Sequence, residues 1–108
     1  MIEEIGENTL AALRGSAGRA SRLLKALANS DRLLLLCQLT EGERCVSDLE
    51  RLSGIEQPTL SQQLGVLRTQ RLVKTRRDGK NIYYRFASPE ALAVIRALHE
   101  QFCSGEKA

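Results

Sequence analysis

The chain has 108 residues and a formal net charge of +3, so one domain is expected, large enough to bury only a modest core. Apolar residues make up 43% and charged residues 27%, which is ordinary for a globular protein and far from a disordered or collagen-like composition. Aromatic residues contribute only 4% and Trp is absent, so the core must be built from Leu, Ile, Val and Ala, a mixture that favours helices.

The opening "MIEEIGENTL" is acidic and lacks the basic-then-apolar order of an export signal. Leu10, Leu13, Ala17, Ala20, Leu24 and Leu27 then recur at helical steps and predict a helix over about residues 8–28. Gly15 and Gly18 either weaken it near residues 15–18 or admit another backbone, and fraying is expected before about residue 15. In "NSDRLLLLCQL", Ser30 is the expected N-cap and Asp31 suits a first turn. The apolar run is too short to span a bilayer; as a helix it would be central, buried nearly all round, and ended at Gly42. "VSDLERLSG" reads as a short helix opened by a Ser47–Glu50 capping box and stopped by Gly54. "PTLSQQLGVLRTQ" places Pro58 in the first turn of a further helix, about 58–70, with Leu60, Leu64 and Leu67 on its inner face.

From Leu72 the period changes. "LVKTRRDGKNIYYRF" has two β-rich runs around Asp78-Gly79, a hairpin over about residues 72–87. "SPEALAVIRALHEQFC" follows, with Ser88 as cap, Pro89 at the first helical position, and Leu92, Ile95, Leu98 and Phe102 along one face to about residue 104. This order, within a single domain spanning residues 1–108, is that of a winged helix-turn-helix, mainly α with a β-hairpin wing.

With the leucines of the 58–70 helix turned inward, Gln62 points outward, flanked by Thr59 and Gln63 on one side and Ser61 on the other, with Gln57 in the turn ahead. Amide and hydroxyl groups at these places suit base edges and phosphates of double-stranded DNA. Lys74, Arg76, Arg77, Lys80 and Arg85 gather on the hairpin, where a wing needs cations. The expected DNA contacts are therefore Gln57, Thr59, Ser61, Gln62, Gln63, Arg76, Arg77 and Lys80. The two terminal apolar stripes are too long for a monomer of this size to bury, so a homodimer built on helices 8–28 and 89–104 is expected. There is no Ser/His/Asp set, no phosphate loop and a single His, so no catalytic residues and no cofactor are expected. A winged-helix module that binds protein instead of DNA is the rival of another class, and the cationic wing argues against it.

"LLKALANSDRLLLLCQL" and "QPTLSQQLGVLRTQRLVKTRRDGKNIYYRF" resemble the core helices, recognition helix and wing of the ArsR/SmtB family of bacterial repressors, over roughly residues 20–103. The resemblance implies a homodimer on a palindromic operator, released by a small inducer; the lack of an export signal and of a membrane-spanning run leads us to expect a cytoplasmic protein with no membrane partner. It also sorts the three cysteines, whose odd count argues against a fixed disulfide framework. Cys45 in "ERCVSDL" matches the first thiol of the family's C-x-C metal box, but Ser47 stands at the second, and a soft metal needs more than one thiolate. His99 lies on the helix used by the zinc-type sensors without their partner ligands. No metal site is therefore expected, and a metal-responsive repressor is the alternative. Cys37 and Cys103 match the positions of the BigR/SqrR/HlyU-type branch, which resemblance implies persulfide or oxidant sensing by bridging these two thiols. Taken alone, Cys37 reads as a small buried hydrophobe and Cys103 as a stray thiol on a helix end.

Overall fold

The structure is a computed structural model that describes residues 2–103. Its elements, in chain order, are helix α1 (Ile2–Leu27), helix α2 (Ser30–Gln38), strand β1 (Arg44–Cys45), helix α3 (Val46–Ser53), helix α4 (Thr59–Thr69), strands β2 (Val73–Asp78) and β3 (Asn81–Phe86), and helix α5 (Pro89–Phe102). The mainly helical winged helix-turn-helix expected from the sequence is the architecture found. A third short strand joins the wing, giving an antiparallel sheet in the order β1-β3-β2. So short a strand leaves no periodic signal in the sequence, and its pairing with Tyr83 and Tyr84 only arises once the hairpin exists.

Several local expectations are corrected. Helix α1 does not fray before residue 15: it runs unbroken through Gly15 and Gly18. A Cβ built on Gly15 would meet nothing within 4 Å, so no backbone of the same protomer approaches there. The N-cap of α2 is Asn29 and not Ser30, because the Asn29 side chain accepts the Arg32 backbone N–H at 3.0 Å. No Ser47–Glu50 capping box forms: Cys45 is the N-cap of α3, which places Ser47 inside the helix. Helix α2 ends at Gln38, and Gly42 lies in the following turn at φ 146°. Leu34 of α2 remains 51% exposed, so that helix is not buried all round. Pro58 is the N-cap of α4. The hairpin loop is Gly79-Lys80, with Asp78 paired to Asn81; Gly79 at φ 64° occupies the first loop position, as a type II′ turn requires.

Other signals hold. Gly54 closes α3 at φ 75°, and Ser88 caps α5 by accepting the Ala91 N–H. Leu35 and Leu36 of α2, Leu49 of α3, Leu60, Leu64 and Leu67 of α4, and Ile95 of α5 form the centre of the core. Helix α4 then hands the chain to the wing through a Schellman turn: the Leu72 N–H bonds to Leu67 O at 2.9 Å and the Arg71 N–H to Arg68 O at 3.0 Å. Arg71 takes φ 61° at the position where glycine is usual. Leu72 is buried beyond it, so the β2 strand leaves the core at a fixed angle.

The predicted terminal stripes are only half covered. Leu27 and Ile95 are buried and Leu92 and Leu98 half-buried, whereas Leu10, Leu13 and Leu24 are 52–58% exposed and Phe102 is 72% exposed. We expect the protein to sediment as a dimer at micromolar concentration. The substitution Leu24→Glu should shift it to a folded monomer with an unchanged helical circular-dichroism spectrum, since Leu24 is exposed on the protomer, and its melting temperature should lose its dependence on protein concentration; an unchanged dimer would show that this row lies outside the interface.

Candidate nucleic-acid interface and thiol pair

Helix α4 presents the polar face expected of it, but its side chains are unequally free. Gln62 is exposed. Gln57 closes the first turn, where Pro58 offers no side-chain cap: its Oε1 accepts the Ser61 backbone N–H at 3.1 Å and the Ser61 hydroxyl at 2.7 Å. Thr59 is half-buried. Gln63 is also half-buried, and its Oε1 accepts a hydrogen bond from Arg32 Nη1 at 2.8 Å. Sequence reasoning missed Arg32, because nothing in its neighbourhood announces a partner on a helix so far along the chain.

The register of the wing divides its cations between two faces. Residues opposite one another in an antiparallel pair share a face. Lys74 with Arg85, and Arg76 with Tyr83, lie on one side; Thr75 with Tyr84, and Arg77 with Ile82, lie on the other. Arg76 is already engaged. It donates to both carboxylate oxygens of Glu43, with Nε at 2.9 and 3.0 Å, and stacks 4.5 Å from the Tyr83 ring centroid. The hydrogen bonds from Arg76 hold the Glu43 carboxyl below the usual carboxylate range. Arg77 and Lys80 are exposed. An open groove of about 600 Å³ separates the wing from α3 and α4, and Ser47, Glu50, Ser61, Arg68 and Lys80 line it. Arg68, on the same α4 face as Ser61 two turns on, adds a cation that the sequence reading did not single out.

Cys37 is half-buried on α2, and Cys103 is exposed as the C-cap of α5, its N–H bonded to His99 O at 2.8 Å. Both are free thiols, and α2 packs directly on α5. Burial pushes the Cys37 thiol up first, and the charge of Cys103 pushes it up further. The packing of α2 on α5 brings the two helices that carry these thiols together within one protomer. Cys45 is also a free thiol, its Sγ 3.2 Å from Ser47 Oγ. Among the described residues no three His, Cys, Asp or Glu side chains cluster as a metal site, and no helix is long and apolar enough to cross a membrane.

A helix-turn-helix with an exposed polar reading helix and a cationic wing defines a winged-helix DNA-binding regulator. Comparison with known proteins gives its family. The profile of the bacterial regulatory proteins of the arsR family matches residues 29–75. The biofilm growth-associated repressor of Agrobacterium fabrum is 48% identical over 96% of this chain and 89% of its own length. The crystal structure of the transcriptional repressor BigR from Xylella fastidiosa superposes with a TM-score of 0.83 at 46% identity, covering 87% of this chain and 96% of that one. Reduced HlyU from Vibrio cholerae gives a TM-score of 0.82 at 36% identity, covering 86% and 98%. The chain belongs to the ArsR family, in its BigR/HlyU-type branch, and is a transcriptional repressor of that family.

The proximity of the thiols sets a pH signature. Both causes favour the protonated form of Cys37, so its alkylation should accelerate only above the ordinary thiol range. Cys103→Ser removes the like charge but not the burial. The Cys37 midpoint, followed by iodoacetamide labelling and mass spectrometry, should then fall while staying raised. An unchanged midpoint would mean that the thiols are not neighbours.

Proposed function

We propose that the protein is a cytoplasmic homodimeric repressor that holds a palindromic operator when its thiols are reduced, and releases it when reactive sulfur or an oxidant joins Cys37 to Cys103. The observation that carries this reading is that α2, with the free half-buried thiol of Cys37, packs on α5, which ends in the free exposed thiol of Cys103; the upward push of Cys103 on the Cys37 thiol is in keeping with it. The branch resemblance supports the same pair.

The chemistry follows from exposure. Cys103 is open to solvent and Cys37 is half-buried with its thiol kept protonated, so Cys103 attacks first. Its thiolate takes the sulfane sulfur of a hydropersulfide R–S–SH, forming Cys103–S–SH and releasing the thiolate RS⁻. Cys37 then loses its proton to solvent and attacks the Cys103 sulfur, forming the disulfide and expelling HS⁻. Two electrons leave the protein thiols and end on the expelled sulfide. With peroxide, a sulfenic acid on Cys103 takes the place of the persulfide and water is the leaving product.

The bridge would tie α2, in the core beneath the reading helix, to α5, the last helix of the expected dimer interface, which ends in the exposed Phe102. Half-sites one turn apart, about 34 Å, tolerate little mis-spacing. A link that strains the bound spacing by roughly 1–3 kcal/mol weakens binding by about 5- to 150-fold. On DNA, Gln62 and its neighbours on α4 would face base edges, and Arg77 and Lys80 would lie along phosphates.

Fluorescence-anisotropy binding to the operator tests both halves. Cys37→Ser and Cys103→Ser should each stay bound under polysulfide, while Cys45→Ser should release like the wild type. An unresponsive Cys45→Ser, or release of the wild type by zinc alone, would replace the dithiol reading with the metal-responsive one. Gln62→Ala should lose roughly 1–3 kcal/mol on the operator alone, whereas Arg77→Ala should weaken binding to operator and random DNA alike and flatten the salt dependence.

A further inference from the structure

Arg32 sits where three elements meet. Its guanidinium donates from Nε to Ala26 O at 2.5 Å, from Nη2 to Lys25 O at 3.3 Å, and from Nη1 to Gln63 Oε1 at 2.8 Å. The first two acceptors are carbonyls of the last turn of α1, where helical N–H partners run out; Lys25 O also accepts the Ala28 backbone N–H at 3.3 Å. Its own backbone N–H is fixed by the Asn29 cap. The planar fork of an arginine leaves little choice once two of its nitrogens are committed. The direction of Nη1 is thus set by the α1–α2 junction, and the Gln63 side chain conforms to it.

This contact also fixes which way round the Gln63 amide lies. Arginine carries only donors, so the group facing it must be the carbonyl oxygen. The amide is planar, and its NH₂ is turned away from Arg32. No hydrogen-bond partner for that NH₂ is found among the described residues. A free glutamine recognises adenine bidentately, accepting from N6 and donating to N7. With the oxygen held inward, Gln63 offers donors only.

We propose that Arg32 is a positioning residue for base recognition: by holding the Gln63 oxygen it makes Gln63 a donor-only reader, suited to the N7 and O6 acceptors of guanine and mismatched to the N6 donor of adenine. The inference rests on the reading that α4 enters the major groove, but not on the thiol chemistry. It also gives the junction between the first two helices a part in operator choice, although Arg32 itself touches no base.

The test is selection from a pool of operator half-sites with one randomised position at a time, on the intact reduced protein. The wild type should prefer guanine at one position of each half-site, and Gln63→Ala should lose that preference by about 5- to 150-fold, the range of one base contact. Gln63→Glu keeps an oxygen for Arg32 and replaces the outward donors with an acceptor, so the preference at that position should move to cytosine, whose N4 donates. Arg32→Ala frees the amide to turn, and the position should admit adenine while the others keep their preferences. Arg32→Lys retains a cation to cap α1 without the fork; it should show the same relaxation if Arg32→Ala does not fold. Loss of affinity on every sequence alike in the Arg32 variants, with the guanine preference intact, would reduce Arg32 to a helix cap and overturn the proposal. So would adenine preference in the wild type. If Gln63→Ala and Gln63→Glu change no position at all, the base-reading role of Gln63 fails, and the positioning role fails with it.

Discussion

Leu35 and Leu36 have no exposed surface, and the short helix that carries them packs against every other helix of the protomer, α1, α3, α4 and α5. Burying a leucine side chain is worth about 1.5–3 kcal/mol, and here two adjacent leucines are buried at the centre of a small domain. The consequence is geometric as much as energetic. With all other helices registered on α2, the position of the reading helix relative to the terminal helices is a property of how α2 sits. Close-packed interiors transmit displacement instead of absorbing it.

The polar groups of α2 extend that control beyond the core. At its start, Arg32 ties the end of α1 to Gln63 of the reading helix. At its end, Cys37 O accepts the Thr40 hydroxyl at 2.9 Å, and Gln38 O accepts Arg44 Nε at 2.9 Å. Arg44 belongs to β1, which pairs with β3 of the wing, and the neighbouring Glu43 holds Arg76. One short helix is therefore hydrogen-bonded toward both parts of the DNA-facing surface. A thiol placed on it, half-buried beside α5, sits where a covalent change can act on both.

The wing shows how a cationic hairpin remains orderly. Lys74 and Arg85 are directly opposite one another, an unfavourable pair in isolation. On the same face Arg76 is stacked on Tyr83 and bonded to Glu43, which fixes one cation against the protein. Arg77, on the opposite face, and Lys80, in the hairpin loop, remain exposed. Charge count alone does not separate these two groups; strand register does.

The sequence by itself determined the fold class, the reading helix with its Leu60, Leu64 and Leu67 stripe, the hairpin, the Ser88 and Gly54 helix limits, and the family. These rest on periodicity, turn residues and caps, which act within a few residues of chain. What it misplaced was also local: the α2 cap went to Asn29 because the choice between adjacent cap residues depends on where the preceding helix ends. Helix α1 kept its length through three glycines, Gly6, Gly15 and Gly18, whose individual cost is about 1 kcal/mol each and is spread over a 26-residue helix. Only the tertiary structure decided which cation is engaged and which is exposed, that Gln63 is held by Arg32, and that the helix of Cys37 packs on the helix that ends in Cys103. Each of these is a contact between groups far apart in the chain, set by the packing of α2 against α4 and α5, and no local pattern encodes the angle at which two helices meet.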